Sequence, residues 1–239
     1  MGKEIQRLRG PNHCHAVVFD FDYTLADSSR PVWDCINTAL AGIGLASVSR
    51  EETNRTIGLS LPETFLKLAG REHAAKAGEF VERFVRRADE IMVEQTVLFD
   101  SVEGMVAQLQ PRGVRLGIVS TKYRRRIEAI LEREGLRRHF AAVVGGDDVA
   151  RQKPDPEGLR LALGHLGAQP EEGLYVGDSL PDAEAAQQAG VRFVAVFSGM
   201  TPREAFAAFP VAGFLPDVSH LPEYLFRGRK LSAKPGRAP

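Results

Sequence analysis

Hydrophobic and polar positions along the chain follow two periods. At 16–20 the run AVVFD is short, β-branched and apolar up to its last residue, which predicts a buried strand. From Ser28 the period changes to that of a helix. Ser28 and Ser29 precede Pro31, a favourable helix start, and Val32, Ile36, Leu40 and Ile43 then recur at helical spacing. Ser49 with Glu52, and Ser60 with Glu63, match the pattern in which a hydroxyl and a carboxylate each bond a helix-terminal amide. Phe80, Val81, Phe84, Val85, Ala88, Ile91 and Met92 mark one face of a long amphipathic helix. Residues 29–95 therefore read as wholly helical.

Beyond residue 97 strands and helices alternate. A helix at 102–110 stops at Pro111 and Gly113, and strands are expected at 114–120, 141–146, 173–178 and 192–197. Helices fall between them, the last stopping at Gly190. This alternation implies parallel pairing with right-handed crossovers. The expected fold is α/β: a doubly wound parallel sheet with a Rossmann-like core, interrupted after its first strand by an all-helical insertion. The core would comprise 1–27 and 96–227, and the insertion 28–95. The basic, Pro- and Gly-containing tail 228–239 is expected to be disordered.

Composition narrows the class of protein. The chain has 239 residues, 44% hydrophobic and 26% charged, which suits one core domain carrying an insertion. Its 31 basic and 31 acidic residues balance, so no global field points to nucleic acid or to an acidic membrane surface. No stretch has the length and apolarity of a membrane span, and residues 1–15 lack the apolar segment of a secretory signal. Gln6 stands where a myristoylation motif needs Ser or Thr. Two cysteines are too few for a disulfide framework. A cytoplasmic monomer or homodimer with no nucleic-acid or membrane partner is expected.

Candidate chemistry collects where the predicted strands end. The first ends in Asp20 and Asp22 with Thr24 just beyond, the second in Ser120 followed by Thr121 and Lys122, and the strand GLYVGD in Asp178, with Asp182 one turn on. Lys153 precedes Pro154 in a loop that opens a helix. In open parallel sheets ligands bind beyond these carboxyl ends. Adjacent carboxylates repel one another and resist burial, so a cation or a substrate must compensate them. Carboxylates beside a lysine suit Mg²⁺, which takes one or two carboxylates and commonly a phosphate. An aspartate can itself attack phosphorus, assisted by charge neutralisation and positioning.

These residues resemble the signatures of the haloacid dehalogenase-like superfamily, in order and over almost the whole chain. D-x-D-x-[TV] is Asp20-Phe21-Asp22-Tyr23-Thr24, the strand-terminal hydroxyl is Ser120, the lysine is Lys153-Pro154, and G-D-S-x-x-D is Gly177–Asp182. The resemblance implies that Asp20 is nucleophile and magnesium ligand. It implies that Asp22 is acid and base and lends the metal its carbonyl, that Ser120 bonds a phosphoryl oxygen, and that Lys153 pairs with the nucleophile and the phosphoryl group. It implies that Asp178 ligates magnesium, with Asp182 as a further ligand or as a support behind the ligands. Thr24, Thr121, Lys122 and Arg55 are the candidates for substrate contact.

Members that attack carbon lack an aspartate at the position of Asp22, so phosphoryl transfer is implied. The helical insertion, with TIGLSLPETF at 56–65, is similar to the cap of the phosphoglycolate phosphatase-like branch. Tyr23 stands where most members have Gly, and Thr121 where Asn is usual. A magnesium-dependent phosphatase acting on a small phosphorylated metabolite is expected, with 2-phosphoglycolate leading. Inorganic pyrophosphate follows, then sugar and nucleotide monophosphates. A non-catalytic phosphate-binding regulatory module is the alternative of another class, opposed by the retention of Asp20, Asp22, Lys153 and Asp178.

Other patterns have plainer readings. A calcium loop beginning at Asp20 fails because Leu25 and Pro31 occupy the positions of its glycine and its bidentate glutamate. His13-Cys14-His15 lacks a second pair of ligands at zinc spacing. Arg124, Arg125 and Arg126 read as a solvated helix face supported by Glu128 and Glu132. The sharper reading puts one of the three beside Lys122, near an anionic substrate.

Overall fold

The structure is a computed structural model that describes residues 14–226, so the tail expected at 228–239 and His13 lie outside the described residues. Side chains along strand β1, Ala16–Phe19, alternate between two cores. Val17 and Phe19 enter one buried cluster, whereas Ala16 and Val18 enter the cluster on the opposite face. A strand with two apolar faces belongs in the middle of a sheet covered by helices on both sides.

After β1 the chain forms a two-residue strand, β2 (Ala26–Asp27), and enters helices α1 (Ser29–Gly42), α2 (Arg50–Asn54), α3 (Leu61–Ala69) and α4 (Ala77–Gln95). It returns through β3 (Val97–Leu98), which pairs antiparallel with β2, so the outgoing and returning chains run side by side. Both expected capping boxes are present. Ser49 Oγ accepts from the Glu52 amide at 3.2 Å while Glu52 accepts from the Ser49 amide at 2.8 Å, and Ser60 and Glu63 repeat the arrangement. The helices close on a cluster of their own. Ile36 and Leu40 pack with Phe65, Phe80, Phe84 and Met92, and the Phe65 and Phe80 rings are 4.9 Å apart.

The rest of the chain alternates as the sequence predicts: α5 (Ser101–Leu109), β4 (Arg115–Val119), α6 (Arg124–Arg133), β5 (Phe140–Val144), α7 (Glu157–His165), β6 (Gly173–Gly177), α8 (Leu180–Ala189) and β7 (Arg192–Val196). Two further elements close it, β8 (Val211–Leu215) and α9 (Leu221–Phe226). The sheet order is β5-β4-β1-β6-β7-β8, and every pair is parallel. This is the α/β doubly wound architecture, with β1 between β4 and β6.

Neither β8 nor the β2–β3 ribbon is legible in the hydrophobic pattern. β8 is an edge strand, partly exposed along its length, so it lacks the continuous apolar run of a central strand. Its Gly213 lies under the Tyr224 ring, where a Cβ would come within 2.7 Å. The ribbon strands are two residues each, too short to show a period. Among the described residues no helix is long and apolar enough to cross a membrane.

Candidate active site

Each central strand stops one residue before a polar group. Asp20 follows β1, Ser120 follows β4 and Asp178 follows β6, all at most 5% exposed. The register of the parallel pairs aligns these ends: Phe19 stands opposite Ile118 and Val176. The sheet therefore delivers a nucleophile candidate, a hydroxyl and a second carboxylate to one edge.

Lys153 ties two of the carboxylates together. Its Nζ donates to Asp20 Oδ1 at 2.7 Å and to Asp182 Oδ1 at 2.6 Å. Asp182 also accepts the Tyr175 hydroxyl at 2.8 Å on Oδ1, and the Ser179 amide and hydroxyl at 3.1 and 2.5 Å on Oδ2. Both Asp182 oxygens are thus committed to protein donors. Asp20 differs: its Oδ2 is buried and has no hydrogen-bond partner. Oxygens of Asp20, Asp178 and Asp182 lie within 4.8 Å of one another. A buried, unpartnered carboxylate oxygen beside two further carboxylates is the donor set that a hard divalent cation satisfies. The residues present therefore fit magnesium.

Charge at this edge is unbalanced. Burial raises the Asp20 carboxyl to about 7, with repulsion from Asp182 adding to it and Lys153 opposing. Burial likewise raises Asp178 well above the ordinary carboxylate range, reinforced by Asp20 and Asp182. For Lys153 burial acts downward, but Asp182 and Asp20 outweigh it and hold the ammonium protonated above its usual range.

Asp22 faces a different set of groups. Its Oδ1 is 3.1 Å from Lys122 Nζ and accepts a short hydrogen bond from Ser28 Oγ. Asp22, Thr121 and Lys122 line a cavity of about 60 Å³ whose other walls come from the helical insertion, among them Val32, Ile36, Phe84 and Met92. Ser120 Oγ accepts from the Lys122 amide at 3.2 Å.

The remaining substrate-contact candidates are placed elsewhere. Thr24 is fully buried and donates to Asp178 Oδ1 at 3.3 Å, which makes it a support for that carboxylate. Arg55 pairs with Glu51 at 2.6 Å and lines a separate, open cavity with Lys67, Tyr23 and Asp178. Ile57 and Leu59 line both cavities, so the loop carrying them stands between the two. Tyr23 has φ +61°, the left-handed conformation in which glycine is free of strain, which accounts physically for Gly being usual there.

Three contributors escape sequence reasoning, and a fourth corrects it: Arg126, expected on a solvated helix face with Arg124 and Arg125, is buried and shares a cavity lining with Lys122. Ser28 holds Asp22, and Tyr175 holds Asp182. Gly199 packs so tightly on Asp178 that a Cβ would lie 1.9 Å from its Oδ2. Arg126 lines the cavity beside Asp22. For Tyr175 a signal existed, since a tyrosine inside an apolar buried strand must bring its hydroxyl to a partner.

A parallel α/β sheet with an aspartate fixed by lysine at its central strand, and further carboxylates beside it, defines a class of hydrolase that uses carboxylate chemistry at the sheet edge. The sequence model of the haloacid dehalogenase-like hydrolases matches residues 17–196, and the chain belongs to that family. A phosphoglycolate phosphatase of Yersinia pseudotuberculosis is 35% identical over 195 residues, covering 80% of this chain and 84% of that one. A pyrophosphatase of Oceanobacillus iheyensis is 33% identical over 180 residues, covering 75% and 82%. A Bacteroides fragilis protein whose crystal structure is described as haloacid dehalogenase-like superposes with a TM-score of 0.83 at 41% identity, covering 87% of this chain and 99% of its own. Within the family the chain falls in the phosphoglycolate phosphatase-like branch, and it is a phosphatase.

Proposed function

We propose that the chain hydrolyses a small phosphorylated metabolite, with 2-phosphoglycolate leading, through an aspartyl-phosphate on Asp20. The observation that carries this reading is the state of Asp20: one oxygen fixed by Lys153, the other buried and unpartnered. The roles are those that the family resemblance implies. An Asp20 oxygen bonds to phosphorus as the ester P–O bond breaks, and Asp22 gives its proton to the departing oxygen. Asp22, now a carboxylate, takes a proton from the water that attacks the aspartyl-phosphate, releasing phosphate and restoring Asp20. Ser120 donates to a phosphoryl oxygen, and Lys153 balances negative charge throughout.

Magnesium would be held by Asp20 Oδ2, Asp178 and the Asp22 carbonyl, and when bound it supplies charge neutralisation for the phosphoryl group. Asp182, with both oxygens engaged, acts in this reading by orienting Lys153. Residues 28–95 serve as a cap that closes over the edge and keeps bulk water from the aspartyl-phosphate. The cytoplasmic setting belongs to the same reading and agrees with two unpaired cysteines.

Pyrophosphate is the second reading, favoured by the similarity to a pyrophosphatase. Phosphate release from 2-phosphoglycolate, pyrophosphate, glucose phosphates and nucleotide monophosphates, each with magnesium and with EDTA, tests both. A dominant kcat/KM on 2-phosphoglycolate that EDTA removes supports the first reading, and dominance of pyrophosphate replaces it with the second. Release that EDTA does not reduce refutes the metal assignment.

A further inference from the structure

Three arginines in sequence at the start of α6 do not share one environment. Arg124 and Arg125 keep about half of their side-chain surface, 49% and 52%, whereas Arg126 is 4% exposed. A guanidinium withdrawn from water needs its charge and its donors met. Arg126 Nε bonds to Asp89 at 2.8 Å and Nη2 to the Val85 carbonyl at 2.9 Å, both on α4. Nη1 makes no hydrogen bond among the described residues.

Asp89 does not belong to Arg126 alone. Arg125 Nη2 reaches both Asp89 oxygens at 2.6 Å, so two guanidinium groups share one carboxylate. Lys122, the other cation lining the cavity, is already matched by Asp22. At least one positive charge in excess therefore borders a small cavity that Asp22 also lines. The rest of the lining gives little to a polyhydroxylated substrate. Val32, Ile36, Phe84 and Met92 are apolar, and the Thr56 and Thr64 hydroxyls point to the backbone carbonyls of Thr53 and Thr56.

We infer that Arg126 recognises a carboxylate on the leaving group, which makes the substrate class the phosphate esters of short 2-hydroxycarboxylates. The inference rests on the phosphatase reading and names the residue that selects within it. During transfer the ester P–O bond breaks, the hydroxyl oxygen receives the Asp22 proton, and the carboxylate stays ionised against Arg126. An arginine suits the task because its planar donors match a carboxylate.

The test compares kcat/KM, with magnesium, for 2-phosphoglycolate and for ethyl phosphate, which has the same chain length and no carboxylate. The wild type should favour 2-phosphoglycolate by about 10- to 100-fold, the range of a charged hydrogen bond. Arg126→Met should bring that ratio close to one, chiefly through KM for 2-phosphoglycolate. Asp89→Asn removes the charge that Arg126 pairs with on α4 and leaves its bond to the Val85 carbonyl, so it should preserve the ratio even if both rates fall. A purely structural Arg126 predicts the opposite: Arg126→Met and Asp89→Asn depress both substrates in parallel, and that result overturns the inference. Should Arg126→Met fail to fold, Arg126→Lys keeps the charge without the planar fork and should lower the ratio several-fold; an unchanged ratio overturns the inference. Equal hydrolysis of both esters by the wild type also overturns it while leaving the phosphatase reading intact. No phosphate released from either ester removes both.

Discussion

Replacing Asp178 by Asn should stabilise the protein in the absence of magnesium. Asp178 is buried with Asp20 and Asp182, and oxygens of the three lie within 4.8 Å. Two unit charges at 4.8 Å repel by roughly 3.5 kcal/mol at an effective dielectric of about 20. Asp178 meets two such neighbours and Lys153 offsets about one, which leaves roughly 3.5 kcal/mol with both neighbours charged and roughly 2 kcal/mol with Asp20, raised to about 7, only half ionised. Asparagine removes that charge and keeps an oxygen for the Thr24 hydroxyl, which donates to Asp178 Oδ1 in the native protein. For a chain of this size 2 kcal/mol corresponds to about 4–8 °C in Tm.

The sign depends on pH. Folding favours the protonated form of Asp178, so its contribution is intact below the unfolded value of about 3.9 and is lost as pH rises towards the elevated folded value. The gain from Asp178→Asn should thus be larger at pH 8 than at pH 5. Thermal melts followed by circular dichroism, in EDTA and in magnesium at both pH values, read all of this. Magnesium should raise the wild-type Tm most at pH 8, where the carboxylates must ionise without it, and should raise the Asp178→Asn Tm much less. A variant less stable than wild type in EDTA at pH 8, or a Tm difference equal at the two pH values, would refute the charge reasoning.

Three further outcomes follow from the same edge of the sheet. Asp20→Asn should reduce phosphate release to background, and a rate near wild type in a contamination-controlled assay removes the nucleophile assignment. Gly199→Ala should abolish the magnesium-dependent rise in Tm, because its Cβ would fall 1.9 Å from Asp178 Oδ2; an undiminished rise would show that the loop yields without disturbing Asp178. Tyr175→Phe deletes a donor to Asp182 and should cost about 1.5–3 kcal/mol in urea denaturation. It should also lower kcat several-fold while KM stays constant, since Tyr175 acts through Asp182 and Lys153; a change confined to KM would place its effect in substrate binding instead.

The alternation of periods was sufficient to read the sheet and its helices because buried central strands and amphipathic helices each bear their environment on their face. β1 reads as AVVF because both of its sides are covered. β8 does not read at all, because an edge strand between Pro210 and Pro216 has one side to bury and one to expose. The site divides along a similar line. Asp20, Asp22 and Asp178 are legible because charged residues at the ends of apolar strands conflict with burial, and such conflicts are visible in one dimension, whereas Lys153, in a loop, is legible through the family resemblance. Ser28 and Gly199 conflict with nothing local, since a serine beside a helix start and a glycine in a loop are ordinary neighbours, and nothing local distinguishes Arg126 from Arg124 and Arg125 in a run that offers one of the three beside Lys122.

What those three residues do is created by the return of the chain. Ser28 acquires its role because the path out of β1 turns back past Asp22 before entering α1. Arg126 acquires its own because α4, formed some forty residues earlier, lies against α6 and presents Asp89 to it. The same helix supplies Phe84 and Met92 to the cavity wall. One amphipathic helix therefore sets both the apolar lining and the position of the buried cation. In the proposed reading, selection of substrate is a property of how α4 packs on α6, and the chemistry belongs to the ends of β1, β4 and β6. The two can change independently, since a substitution at Phe84 or Met92 alters the cavity without touching Asp20, Lys153 or Asp178. That separation explains why the reaction is read from strand ends and the substrate only from a helix pair.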